Sequence, residues 1–251
     1  MSVVKNGFSI VKYLDGERLN KVSAQAFQAQ KPYPWVSIEG ILTPEGYQRL
    51  RETLPNESIF ERQVGIKRSH GQASHDRYLL HFRPGLMVSA PWQEFIAELH
   101  GDTYQSFLRR MLGPRQFILT LEWYYAWLGC AVSPHCDAAR KLATQIFYFN
   151  DQSDWDPAWG GPILILDSRR QFKTHSGPSF DDLQVAAALD ARGNGSLLFQ
   201  RTPHSWHGVR PLRCPLGKLR KLFLVTVNVP NAQVRWRRLR GKDPDGYRIR
   251  T

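Results

Sequence analysis

The chain has 251 residues, 42% of them hydrophobic and 22% charged, which is enough to bury one substantial core, and no run approaches the roughly 18 apolar residues that a bilayer crossing needs. No apolar leader with a small-residue cleavage site is visible, and Cys130, Cys136 and Cys214 are too few for a disulfide framework or a cysteine-rich zinc site, so a cytoplasmic protein with reduced thiols is expected. A net charge of +12 suits an anionic partner, whether nucleic acid, membrane surface or acidic substrate, and does not choose among them.

Residues 1–30 are polar and weakly patterned, and read as a flexible or edge segment ahead of a single domain over 31–232. The aromatic, β-branched stretch KPYPWVSIEGIL (31–42) leads to Thr43-Pro44-Glu45, a threonine cap with proline at the first helical position. Tyr47, Leu50 and Leu54 then share one helical face before Pro55. A second helical region opens at Ser89-Ala90-Pro91 with Trp92, Phe95, Ile96 and Leu99, and continues from Asp102 to Leu112, where Gly113-Pro114 stops it. The apolar stripes mark packing elements, so 31–115 is a helical elaboration.

From Gln116 onward the pattern changes to short β-rich runs separated by Gly, Pro, Asn and Asp: 117–128, 143–150, 161–166, 195–200 and 221–229. Five such runs over 116–232 predict an antiparallel sandwich or barrel. Beyond them, 233–251 holds seven Arg or Lys against two Asp and reads as a solvated basic tail.

Chemistry is concentrated in SPHCDAARKLATQIFYFN (133–150). In extended chain successive side chains alternate, so His135 and Asp137 point one way and Cys136 the other. A divalent metal held by two imidazoles and one carboxylate keeps open positions for substrate and oxygen, and the third ligand must come from a distant strand. TPHSWHGVRP (202–211) offers His204 and His207. His207 is preferred, because Gly208-Val209 resumes an extended run that can fix its ring while His204 follows Pro203 in a loop. His70, His75, His81, His100 and His175 read as surface or capping residues.

In order, H135-x-D137, TQIFYFN from Thr144, WGGPILIL from Trp159, GSLLF from Gly195, HGVRPL from His207 and RKLFLVTV from Arg220 resemble the Fe(II)- and 2-oxoglutarate-dependent dioxygenases, most of all the prolyl-hydroxylase-like group. The likeness spans 121–229, and KPYPWVSIEGILTPEGYQRL is similar to a segment that often precedes the core in that group. The resemblance implies a mainly β fold with buttressing helices (α+β), a double-stranded β-helix or jelly roll. It implies Fe(II) on His135, Asp137 and His207, with 2-oxoglutarate and O2 as cosubstrates and succinate and CO2 as products. The family holds the distal carboxylate of 2-oxoglutarate on a strand-opening cation, which Arg220 matches. It lies 13 positions past His207, further than is usual, which leaves Arg213 and Lys218 as rivals. Tyr148 stands where relatives offer a hydroxyl to the same carboxylate, and Thr144 shares its face of the strand.

Asp137 also disfavours halogenation, for which relatives replace that carboxylate with a small residue. The implied reaction is hydroxylation of an unactivated C–H bond in a small molecule, amino acid or peptide. Substrate choice is expected from 64–85 and 167–182, whose Arg, Lys and His content favours an anionic or carboxylate-bearing substrate. A protein prolyl or lysyl hydroxylase is one alternative. A nucleic-acid demethylase is another, favoured by the charge and the tail with Trp236, but RKLFLVTVN lacks the R-x-N-x-T-x-R strand of such enzymes. A non-catalytic binding module on the same barrel is the last, and the intact ligand set argues against it.

Overall fold

The structure, a computed structural model, describes residues 12–190 and 192–230, together with Ala232 and Trp236. Its first elements correct an expectation. Helices α1 (Gly16–Lys21) and α2 (Ala24–Ala29), capped by the side chains of Asp15 and Ser23, occupy the described part of what read as a flexible or edge segment, of which 1–11 lie outside the described residues. Each buries a single apolar anchor, Leu19 or Phe27, which is too few to print a helical stripe on a polar sequence.

Strand β1 (Trp35–Glu39) is followed by α3 (Pro44–Glu52), where Thr43 Oγ1 accepts the Gly46 N–H at 3.0 Å as the cap residues predict. After β2 (Glu61–Gln63) and β3 (Arg77–His81) come α4 (Ala90–Leu99) and α5 (Asp102–Leu112). The β-rich half supplies β4 (Ile118–Ala126), β5 (Val132–His135), β6 (Lys141–Tyr148), β7 (Ile163–Asp167), β8 (Gln184–Leu189), β9 (Gly195–Gln200), β10 (Trp206–Val209) and β11 (Arg220–Asn228). All five expected strands are present.

The strands pair antiparallel into two sheets, ordered β1-β9-β6-β11-β4-β3-β2 and β5-β10-β7-β8. Alternation gives the larger sheet two apolar faces. On the outer face Phe147, Phe223, Val225 and Val227 pack with Trp92, Phe95 and Leu108 of α4 and α5. Trp92 sits 5.0 Å from Phe223 and 5.1 Å from Trp123, ring centroid to centroid, so this layer is a closely packed aromatic block. On the inner face Ile146, Tyr148, Leu197, Phe199 and Leu222 share a second cluster with Ile163 and Ile165 of β7 and Val209 of β10. Two antiparallel sheets closed over one inner core, with helices buttressing the larger, make the expected jelly roll.

No helix among the described residues is long and apolar enough to cross a membrane, and the three cysteines are free and buried. Apart from Trp236, the basic tail at 233–251 lies outside the described residues.

Candidate metal centre

Strand β10 lies between β5 and β7, and its register sets His207 directly opposite His135. The two ring centroids are 4.3 Å apart. Asp137 follows two residues after β5 ends, with Oδ1 4.0 Å from His135 Nε2. One donor atom from each of His135, Asp137 and His207 lies within 4.8 Å of the others. Cys136 turns away, as alternation requires, with Sγ 3.7 Å from the Pro203 carbonyl. His204 is not part of this group.

Both imidazoles are held in the same way. Nδ1 of His135 is 3.0 Å from the Ser133 carbonyl, and Nδ1 of His207 is 3.0 Å from the Ser205 carbonyl. A carbonyl only accepts, so each Nδ1 carries the proton and each Nε2 presents a lone pair toward Asp137. Burial lowers both histidines' pKa values, and for His135 the charge of His207 adds to the effect, which favours the neutral, ligating form. Asp137 is the opposite case. Burial is the largest single influence and would raise its pKa, but the adjacent Lys141 ammonium and the two imidazoles together outweigh it and hold the carboxyl well below the usual range.

Lys141 Nζ reaches Asp137 Oδ1 at 2.8 Å, and Thr144 Oγ1 donates to Oδ2 at 2.8 Å. Thr144 was expected beside the cosubstrate; its hydroxyl proton goes instead to the carboxylate, because both residues project from neighbouring elements into the same corner. Lys141 had no sequence signal of its own. Nor did His75, which read as a surface or capping residue and is in fact buried, with its ring centroid 4.9 Å from that of His135 and Nε2 2.9 Å from Ser133 Oγ. His100 does cap: its Nδ1 is 2.8 Å from the Ile96 carbonyl at the end of α4.

The three residues open onto a cavity of about 310 Å³ that also receives Arg220. Arg220 is 2% exposed, and its Nε and Nη2 have no hydrogen-bond partner. The Tyr148 and Tyr124 hydroxyls are likewise buried and unpartnered, and burial raises both phenols' pKa values, which keeps them protonated donors. Arg213 and Lys218, the rivals, are exposed. The longer connection is absorbed before β11 begins: Leu212 and Cys214 are buried in the inner cluster, and Lys218 N donates to the Pro215 carbonyl. Arg220 therefore keeps the strand-opening place with Leu222 and Leu224 on its face, all three lining the cavity.

These donors fit the implied groups. Two neutral imidazole nitrogens and one carboxylate are the donor set of a divalent iron site with open positions. A desolvated guanidinium with unfilled donors, beside two protonated phenols that can each donate, fits a carboxylate with two oxygens. Gly161 makes room for that guanidinium. It holds φ +98°, and a Cβ there would stand 3.0 Å from Arg220 Cδ and Nε, so the glycine serves both backbone and close approach.

Two segments enclose the mouth. Arg68, His70, Gln72, His75 and Arg77 come from one stretch, Thr174 and His175 from the other, and both regions are those singled out for substrate choice.

No protein-family model matches the chain, and no curated protein matches it in sequence. Among solved structures the fold is shared with a prolyl-4-hydroxylase from Pseudomonas putida (TM-score 0.55, 12% identity, 83% of this chain and 99% of that one). It is also shared with a prolyl hydroxylase from Trichoplax adhaerens, solved with a peptide fragment of the oxygen degradation domain of hypoxia inducible factor (TM-score 0.57, 14% identity, 85% and 90%). A third is a non-heme α-ketoglutarate-dependent carbocyclase from nogalamycin biosynthesis (TM-score 0.58, 11% identity, 84% and 85%).

Proposed function

We propose that this chain is an Fe(II)- and 2-oxoglutarate-dependent oxygenase that hydroxylates an unactivated C–H bond of a small molecule, amino acid or peptide. One observation carries the reading: the His135, Asp137 and His207 donors share a cavity with a buried Arg220 whose Nε and Nη2 lack acceptors. The fold held in common with prolyl hydroxylases supports it.

In this reading His135 Nε2, His207 Nε2 and one Asp137 oxygen hold the iron. The carbonyls of Ser133 and Ser205 orient the rings through Nδ1, and Lys141 and Thr144 fix and neutralise the carboxylate. Arg220 takes the distal carboxylate of 2-oxoglutarate, with the Tyr148 hydroxyl as a second donor. Iron and 2-oxoglutarate together would supply the oxidant, O2 placing one oxygen atom in succinate as CO2 leaves and the other in the hydroxylated product. Apolar walls from Ile146, Ile163, Phe199 and Leu222 keep bulk water from the reacting carbon.

The test is Fe(II)-dependent formation of succinate from 2-oxoglutarate, measured against small acids, peptides and oligonucleotides. His207→Ala is expected to abolish it, and His204→Ala to retain it. Turnover that survives His207→Ala, or that is lost only in His204→Ala, would refute the ligand assignment.

A further inference from the structure

The charges that line the cavity do not balance. Leaving the imidazoles aside, Arg68, Arg77, Lys141 and Arg220 face Glu122 and Asp137. Lys141 is engaged by Asp137 at 2.8 Å, and Glu122 Oε2 is 3.2 Å from His81 Nδ1. Arg220 belongs to the cosubstrate in the reading above. Four cations against two carboxylates leave two positive charges in excess, and a divalent cation and the dianion of 2-oxoglutarate cancel, so loading the site preserves that excess; Arg68 and Arg77 are the lining cations engaged by neither Asp137 nor the cosubstrate.

Arg77 is built for an anion. It opens β3, its Cζ lies 5.5 Å from the Tyr124 ring centroid, and its Nη1 donates to the His75 carbonyl at 3.3 Å. Its Nε is buried and has no hydrogen-bond partner. Tyr124 lines the same cavity with its hydroxyl unpartnered. Arg68 is steadied by Gln72, Nε to Oε1 at 3.2 Å, and Gln72 Nε2 reaches the Ser176 carbonyl at 3.4 Å. The backbones meet closely there, since a Cβ on Gly177 would fall 2.5 Å from the His70 carbonyl oxygen. The cationic wall is therefore braced from both segments. The cavity, about 310 Å³ in all, stands at the low end of small-molecule sites, which span roughly 300–1,000 Å³, and it must also hold the cosubstrate.

We infer that the primary substrate is a small carboxylic acid whose carboxylate is held by Arg77, with Arg68 adding positive charge. This rests on the oxygenase reading and names the substrate class of that site. A guanidinium with a free N–H edge meets a carboxylate with two parallel hydrogen bonds, and an amide of the same shape offers one acceptor and no charge.

The test uses protein loaded with Mn(II) and 2-oxoglutarate, and reads the paramagnetic relaxation of ligand protons in solution. The probes are small monocarboxylic acids and amino acids, each paired with its primary amide, with phosphomonoesters as a further arm. Wild type is expected to relax a subset of the acids and not their amides. Arg77→Gln should weaken that relaxation at least about tenfold, and Arg77→Lys should fall between, because a charged contact of this kind is worth ~1.5–3 kcal/mol. Relaxation of the 2-oxoglutarate protons reports in every variant that the protein is folded and loaded. Amides that bind as well as acids, a preference for phosphomonoesters, or full acid binding in Arg77→Gln would overturn the inference. Loss of 2-oxoglutarate relaxation in Arg77→Gln would assign Arg77 to the cosubstrate instead. Absence of that relaxation in wild type would sink the oxygenase reading itself.

Discussion

A guanidinium that is 2% exposed and leaves Nε and Nη2 without acceptors is stable only when an anion completes it. For Arg220 the anion proposed above is the distal carboxylate of 2-oxoglutarate. Arg220→Ala should then cost ~2–5 kcal/mol of cosubstrate binding, roughly thirtyfold to several thousandfold, with Mn(II) binding nearly unchanged. Arg220→Lys should retain more than Ala and less than Arg, because it supplies charge without the planar fork. Titrating 2-oxoglutarate into the Mn(II) forms of these variants, beside Lys218→Ala and Arg213→Ala, checks this, and a wild-type affinity in Arg220→Ala would refute it. At this scale the sequence was legible where a rule of alternation applied: His135 and Asp137 share a direction, as do Arg220, Leu222 and Leu224. It was silent where contacts cross elements. Lys141 and Thr144 on Asp137, and His75 against His135, follow from how strands meet and leave no mark on local pattern.

Among the elements, the turn before β7 carries the sharpest consequence. Gly161 combines φ +98° with a close approach to Arg220, so Gly161→Ala meets backbone strain and a steric conflict together. The strain alone should cost ~1–3 kcal/mol in stability, seen as a lower denaturant midpoint. The displaced guanidinium should also weaken 2-oxoglutarate binding while leaving metal binding in place. An alanine variant with wild-type cosubstrate affinity would show that Arg220 does not depend on this turn. The longer strands were readable because β-branched and aromatic residues alternate along them and Gly, Pro or Asn ends them. The short ones were not. β5 reads VSPH and β10 reads WHGV, four residues each with a proline or glycine inside, and β8 reads QVAAAL on an edge with little to bury. Those two four-residue strands position His135 and His207. The side chains announced the site more clearly than the strands that hold them.

The whole molecule divides its apolar material by task. The outer face of the larger sheet and the helices form an aromatic block that is free of site residues, whereas the inner face is interrupted by Arg220, Thr144 and Glu122, which share the cavity with the metal-centre group of the smaller sheet. A stiff layer behind the site lets the buried polar groups keep fixed positions, at a cost in burial that the block offsets. The helical elaboration from 31 to 115 also contributes β3 and the cationic wall, so the buttress and the wall proposed to choose the substrate are not separate regions of the chain. The central claim is that iron held by His135, Asp137 and His207 and a 2-oxoglutarate held by Arg220 occupy one cavity together. The most direct measurement is an anaerobic titration of 2-oxoglutarate into the Fe(II)-loaded protein, following the visible charge-transfer absorption that an Fe(II)–keto acid complex would give. The band should saturate at one equivalent in wild type and in His204→Ala, require much higher 2-oxoglutarate in Arg220→Ala, and be absent in His207→Ala. Iron bound without any such band in wild type, or an unaltered band in His207→Ala, would contradict the account.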